Sequence, residues 1–232
     1  MIKKVVARSK ARPQRRPQLT DVAESSTSQL AYGRTEWDDY HHLPTNTGLT
    51  NEKVTMWAFL GSDCLLFGSL ISTYLLLRNR VGPATSGPTA ADLFDIPFTS
   101  VSSFVLLMSS LTMVLAVTSI QRAEMERCKL WLLTTAALGA IFIAGQVYEF
   151  TSFYREGLGF TTNISSSAFY TLTGFHGVHV SLGIVMLVTM WALVSGGQLG
   201  PERAETIEII GLYWHFVDIV WIVIFAVVYL IP

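Results

Sequence analysis

The sequence is short of charge. Asp, Glu, Lys and Arg make up 14% of its 232 residues, while 50% are hydrophobic. A soluble domain of this length does not carry that balance, so an integral membrane protein is expected. Cysteine is also scarce. Cys64 and Cys128 form no Cys-x-x-Cys and no zinc spacing, which excludes a disulfide framework and a covalent haem site as readings. Cys64 reads as a small apolar packing residue. There is no phosphate loop, no dinucleotide fingerprint and no convincing nucleophile–base pair. No internal repeat is visible, which weighs against an inverted-repeat transporter.

The first fifty residues lack a long apolar run, so no cleaved secretory signal is expected there. They are rich in Arg, Pro, Ser, Gln and Thr, and disorder is the expectation. Seven of the sixteen basic residues fall within Lys3–Arg16. No folded basic face follows, so nucleic acid is not expected as a partner. An Arg-rich, Ser-containing start has the composition of a mitochondrial transit peptide. Asp21, Glu24 and the clustered Lys/Arg favour a retained cytoplasmic tail over residues 1–50. Trp37 to Pro44 is a candidate for contact with the membrane surface or a partner, and His41 and His42 read as a solvated loop pair.

What the chain has in abundance is long hydrophobic segments. Five are expected as transmembrane helices over 51–232, each near the roughly 20 apolar residues a span needs. They are Val54–Leu77, Val101–Gln121, Leu130–Phe153, Ala168–Val194 and Ile207–Ile231. Thr50 or Asn51 can cap the first, and Pro97 suits a first helical turn. Gly82-Pro83 and Gly87-Pro88 read as turns in the linker 78–99. Arg122–Lys129 reads as a charged turn, Tyr154–Ser167 as a loop and Ser195–Ala204 as a linker. The fold class is therefore all-α, a polytopic membrane helix bundle. With the N-terminus inside, thirteen Lys and Arg fall on that side and three, Arg78, Arg80 and Arg155, on the other. The positive-inside rule then places the N-terminus in the cytoplasm and the C-terminus outside. Ala136, Ala140 and Ala144, and Gly174, Gly177 and Ser181, are expected to allow close helix approach.

Polar side chains interrupt these apolar runs, and in a membrane such groups are costly and face inward. Three segments carry a pair at spacing i, i+3: Gln146 with Glu149, His176 with His179, and His215 with Asp218. That spacing puts both members on one helical face. Glu208 lies two turns before His215 on the same stripe, and Trp214 and Trp221 flank Asp218. Asp63 stands roughly 15 Å into the first segment at 1.5 Å per residue. Three readings are open. A metal site would use imidazoles and carboxylates on bundle helices, but Glu-x-x-His is absent and the depths of Glu149 and Glu208 differ. A proton path would run through Asp63, His215 and Asp218. An inter-helix hydrogen-bond network, with bound lipid headgroups, asks for nothing further. The serines of the second segment, Ser100, Ser102, Ser103, Ser109 and Ser110, read as helix-packing residues. The Trp residues read as interfacial or packing aromatics.

Four motifs carry a resemblance to subunit III of the haem–copper oxidases: Met56–Gly68, Gln146–Phe150, Thr173–Val180, and Glu208 with Tyr213–Trp221. The chain is similar to the shorter, five-helix bacterial form of that family, which starts in the cytoplasm. The resemblance implies an accessory subunit of an aerobic oxidase, with cytochrome c oxidase favoured and a quinol oxidase or nitric oxide reductase as sister assignments. It implies no redox cofactor in this chain, haem and copper in subunit I and its partners, and phospholipid held between helices. Direct packing on subunit I is implied, with subunit II and a small subunit IV in the same complex. It places Glu149, His176, His179, Glu208, His215 and Asp218 at the family's polar positions. It also makes Asp63, where the family has glutamate, the candidate for a role in proton uptake. Met190–Gly200 lacks the basic residue that many relatives place near the end of that span. A stand-alone proton or small-solute transporter is the reading from another class.

Overall fold

The computed structural model describes residues 50–78 and 94–231; the expectations for the N-terminal tail and for the glycine–proline turns at 82–88 lie outside them. Among the described residues all regular structure is helical. Five helices are long and apolar enough to cross a membrane. They are α1 (Asn51–Leu77), α2 (Ile96–Gln121), α3 (Met125–Arg155), α4 (Ile164–Ser195) and α5 (Ala204–Phe225). A 3₁₀ turn, Pro201–Arg203, leads into α5, and a π-helical turn, Ala226–Leu230, ends it.

Most of the helices extend past the sequence boundaries because local capping extends them. Thr50 caps α1 by accepting from the Lys53 backbone N–H. Asp95 accepts from the Phe98 N–H, so α2 starts five residues before Val101, with Pro97 in its first turn. Asn163 and Ser166 form a reciprocal capping box, which puts Ser165–Ser167 inside α4 and not in the preceding loop. The charged turn also shrinks. α3 begins at Met125, so only Arg122, Ala123 and Glu124 separate it from α2.

Three helices end in the same way, with the residue after the C-cap in the left-handed region: Ala123 at φ 59°, Gly157 at 90° and Gly197 at 68°. The next N–H then reaches back to the carbonyl five residues earlier: Glu124 to Ser119 and Leu158 to Phe153 at 2.9 Å, Gln198 to Leu193 at 3.0 Å. This is the Schellman geometry, which satisfies carbonyls that a helix end leaves bare. Glycine adopts that conformation freely, whereas Ala123 does so with a Cβ.

Consecutive helices run antiparallel. At one end Lys53 of α1 meets Glu205 and Glu208 of α5. At the other, the Arg78 guanidinium donates to the Ile231 carbonyl and Ser165 donates to the Arg78 carbonyl. α5 is the central element and packs on α1, α2 and α4, while α2 packs on α3 and α3 on α4. α1 lies on the outside against α4 and α5. Between helices in lipid there is little hydrophobic drive, so fit and polar contacts decide the arrangement. The closest approach differs from the expected alanine stripe. Ala136 is buried, but Ala140, Ala144 and Ser181 are exposed, because a four-residue repeat drifts around a helix of 3.6 residues per turn. The close contacts sit at Gly139 and Gly183, which both press on the Trp214 ring, and at Gly177, which lies against the Gln146 amide.

Candidate functional site

The buried polar side chains form separate sets, each spanning a different pair or trio of helices. In the first, Asp63 of α1 is 6% exposed and faces His179 of α4, with Oδ2 3.6 Å from Nε2. That Oδ2 has no hydrogen-bond partner among the described residues. His179 Nδ1 lies 2.8 Å from the Phe175 carbonyl. A carbonyl only accepts, so Nδ1 carries the hydrogen. Nε2 and Oδ2 therefore face each other as two acceptors unless one further proton sits between them. Phe67 packs edge-on against the imidazole at 4.9 Å, and Tyr213 donates to the His179 carbonyl at 3.0 Å.

A second set lies on the opposite side of α5, against α2. His215 Nδ1 and Ser110 Oγ are 2.7 Å apart, and the buried Asp218 lies beside them with its Oδ1 unpartnered among the described residues. Trp214 Nε1 donates to Ser109 Oγ at 3.0 Å, and Trp221 Nε1 to Ser103 Oγ at 2.9 Å. Three of the polar side chains on this side of α5, Trp214, His215 and Trp221, thus meet a serine of α2. The serines read from sequence as packing residues are the partners of these groups, and that pairing had no sequence signal.

His176 forms a third set. It is fully buried, its ring lies 4.8 Å from that of Trp221 and 5.8 Å edge-on from that of Phe142, and Nε2 donates to the Val217 carbonyl at 3.2 Å. Its Nδ1 lone pair has no partner among the described residues. At i, i+3, His176 and His179 share a helix yet face different neighbours, α5 and α1 respectively. Gln146 donates from Nε2 to the Thr173 carbonyl at 2.8 Å, joining α3 to α4.

Two further sets mark the bundle's ends. Glu149, 6% exposed, accepts from Thr99 at 3.0 Å and from Tyr229 at 3.1 and 3.2 Å, joining α2, α3 and the π turn. Neither Thr99 nor Tyr229 was singled out from sequence. At the other end Glu208 pairs with Lys53 at 3.3 Å and Glu205 with Lys53 at 3.4 Å, while Thr50 donates to Glu205 at 2.6 Å. Glu208 therefore clamps α1 to α5 at the membrane boundary and stands apart from His215.

These contacts do not join Asp63 to His215 and Asp218 in one row: α1 and α4 hold the first, α2 holds the other two. Nor, among the described residues, do three or more His, Cys, Asp or Glu side chains gather where they could hold a metal ion. The buried polar atoms are mostly spent on bonds between helices.

Five apolar helices tied by such contacts define a polytopic membrane protein. The chain belongs to the cytochrome c oxidase subunit III family, whose model matches residues 34–231. Among its relatives, cytochrome c oxidase subunit 3 of Bacillus sp. (strain PS3) is 39% identical over 78% of this chain and 86% of that protein. The probable quinol oxidase subunit 3 of Staphylococcus saprophyticus is 36% identical over 77% and 88%. The cytochrome bo(3) ubiquinol oxidase subunit 3 of Pseudomonas aeruginosa is 36% identical over 83% and 90%.

Proposed function

We propose that this chain is the accessory, non-redox subunit III of a bacterial haem–copper terminal oxidase, cytochrome c oxidase in the first instance. It packs on subunit I, with subunit II and a small subunit IV in the same complex. The partner subunits carry haem and copper and reduce oxygen to water; this chain supports proton uptake and the durability of subunit I. Its N-terminus lies in the cytoplasm of the bacterial inner membrane, and phospholipid fills spaces between its helices. A quinol oxidase is the second reading, because relatives named for both donors match over similar shares of the chain.

The observation that carries the proposal is the family match across the whole described bundle. The division of labour within the chain supports it. Glu149, Gln146, His215, Trp214 and Glu208 are occupied in helix-to-helix bonds. Asp63 and Asp218 each retain an unpartnered carboxylate oxygen, but Asp63 is the one set opposite an imidazole of another helix, His179, and that pairing makes it the candidate to hold a proton. Glutamate would reach one methylene further, and Asp63 leaves a gap to Nε2 longer than a hydrogen bond.

The test is purification of the tagged full-length chain from its native membrane in mild detergent. A haem-bearing oxidase should copurify in fixed stoichiometry. Recovery of the chain without any haem protein would sink the proposal. Oxygen consumption driven by reduced cytochrome c, or by a quinol, separates the two donors.

A further inference from the structure

At the end of the bundle that carries Lys53, the turn between α2 and α3 borders a pocket of about 260 Å³. That is far more than the roughly 30 Å³ share of one water. Thr118 comes from the last turn of α2, Arg122 and Glu124 from the turn, and Arg127 and Trp131 from the start of α3. Arg122 is exposed, and among the described residues its guanidinium pairs with no carboxylate. Arg127 gives one Nη1 contact to Glu124 Oε2 at 2.8 Å, with the two side chains 68% and 38% exposed. An exposed pair of this kind is weak and readily exchanged for a better acceptor. Two guanidinium forks thus share one concavity, and most of their N–H donors are uncommitted.

The pocket's other wall is apolar. Leu115 and the half-buried Trp131 line it one to two turns in from the facing ends of α2 and α3. A guanidinium rim over a tryptophan at that depth suits a ligand with an anionic head and an apolar continuation. The geometry points to a phosphate site here, filled from the bilayer by the headgroup of an anionic phospholipid. Arg122 and Arg127 hold the phosphodiester oxygens, and Leu115 and Trp131 cover the glycerol and first methylenes. Free phosphate offers the same oxyanion but nothing for the apolar wall. The inference rests on the five spans lying in a bilayer and not on the oxidase assignment.

The experiment uses the full chain with whatever copurifies, in nanodiscs of phosphatidylcholine containing stepped fractions of phosphatidylglycerol. Native mass spectrometry reads the lipid retained. Wild type should hold one more phosphatidylglycerol than Arg122→Gln/Arg127→Gln, with equal retention of phosphatidylcholine. Each single variant should bind roughly tenfold more weakly, the scale of one charge-assisted bidentate contact. Arg122→Lys keeps the charge without the fork and should fall between. Lys129→Gln, which removes a charge from the same turn of α3 but outside the pocket, should match wild type. Equal retention by wild type and the double variant would overturn the site, as would equal loss in Lys129→Gln. Displacement of the lipid by millimolar inorganic phosphate would overturn the bilayer as its source. Copurification of haem is scored separately, so the oxidase assignment stands or falls on its own.

Discussion

Asp63 and His179 face each other across α1 and α4 with Oδ2 3.6 Å from Nε2, and the other imidazole nitrogen is already committed to the Phe175 carbonyl. Both facing atoms are acceptors until a proton joins them. A pair so arranged is tested by what happens when one member can no longer take up or give back that proton.

Asp63→Asn should leave the complex assembled and either slow oxygen turnover or shorten its working lifetime. His179→Gln should act in the same direction, and the double variant should be no worse than the more severe single one. Residues in contact couple by roughly 0.5–3 kcal/mol, so strictly additive effects would separate the two side chains. Oxygen-electrode traces run to inactivation measure both outcomes. Unchanged rate and lifetime in Asp63→Asn would reduce it to a packing residue.

His215→Ala and Asp218→Ala should each prevent stable assembly. The first removes the half-buried imidazole that meets Ser110 across α2 and α5, and the second removes the buried carboxylate beside it. A stranded buried partner costs about 1–3 kcal/mol. Immunoblots of the purified complex should show the chain lost, and a fully assembled, fully active variant would count against the role.

Gly183→Ala should loosen α4 from α5. A Cβ there would lie 2.8 Å from two carbons of the Trp214 ring, which is 1% exposed and pinned through its Nε1 to Ser109. Overpacking of this kind costs about 1–3 kcal/mol. Gly174→Ala on the same helix meets nothing within 4 Å and should be neutral or slightly stabilising. Thermal loss of the chain from the detergent-solubilised complex compares them; equal behaviour would show that the Trp214 contact does not limit packing.

Tyr229→Phe should weaken the end of the bundle by about 0.5–1.5 kcal/mol, the net worth of a hydrogen bond. Glu149→Ala should cost more, because it strands the buried Tyr229 hydroxyl and removes the contact to Thr99, which keeps the Asp95 carbonyl. Hydrogen exchange over residues 226–230 should rise in both variants, more in Glu149→Ala.

Ala123→Gly should stabilise the chain, because glycine is the favoured residue at this left-handed position after the C-cap. The φ of 59° at Ala123 costs an L-residue about 1 kcal/mol that glycine does not incur. A lower melting temperature for Ala123→Gly would mean that the turn relaxes around alanine.

Much of this protein is decided by the sequence alone. A bilayer admits backbone only where its hydrogen bonds are closed internally, so five long apolar runs had to be five helices. The i, i+3 pairs likewise had to project from one side of each helix. Family membership was legible in the long motifs around His176 and His215. Gly157 and Gly197 announced two helix ends, while the equivalent turn at Ala123 carried no sequence signal.

Which partner each polar group meets was decided only by the tertiary structure. Residues that share a helical face still diverge when neighbouring helices lie on different sides of it. So His176 turns to Val217 and His179 to Asp63, and Glu208 turns to Lys53 while His215 turns to Ser110. Spacing along one helix fixes direction, but a hydrogen bond needs an atom from another helix within about 3 Å, and only packing supplies that.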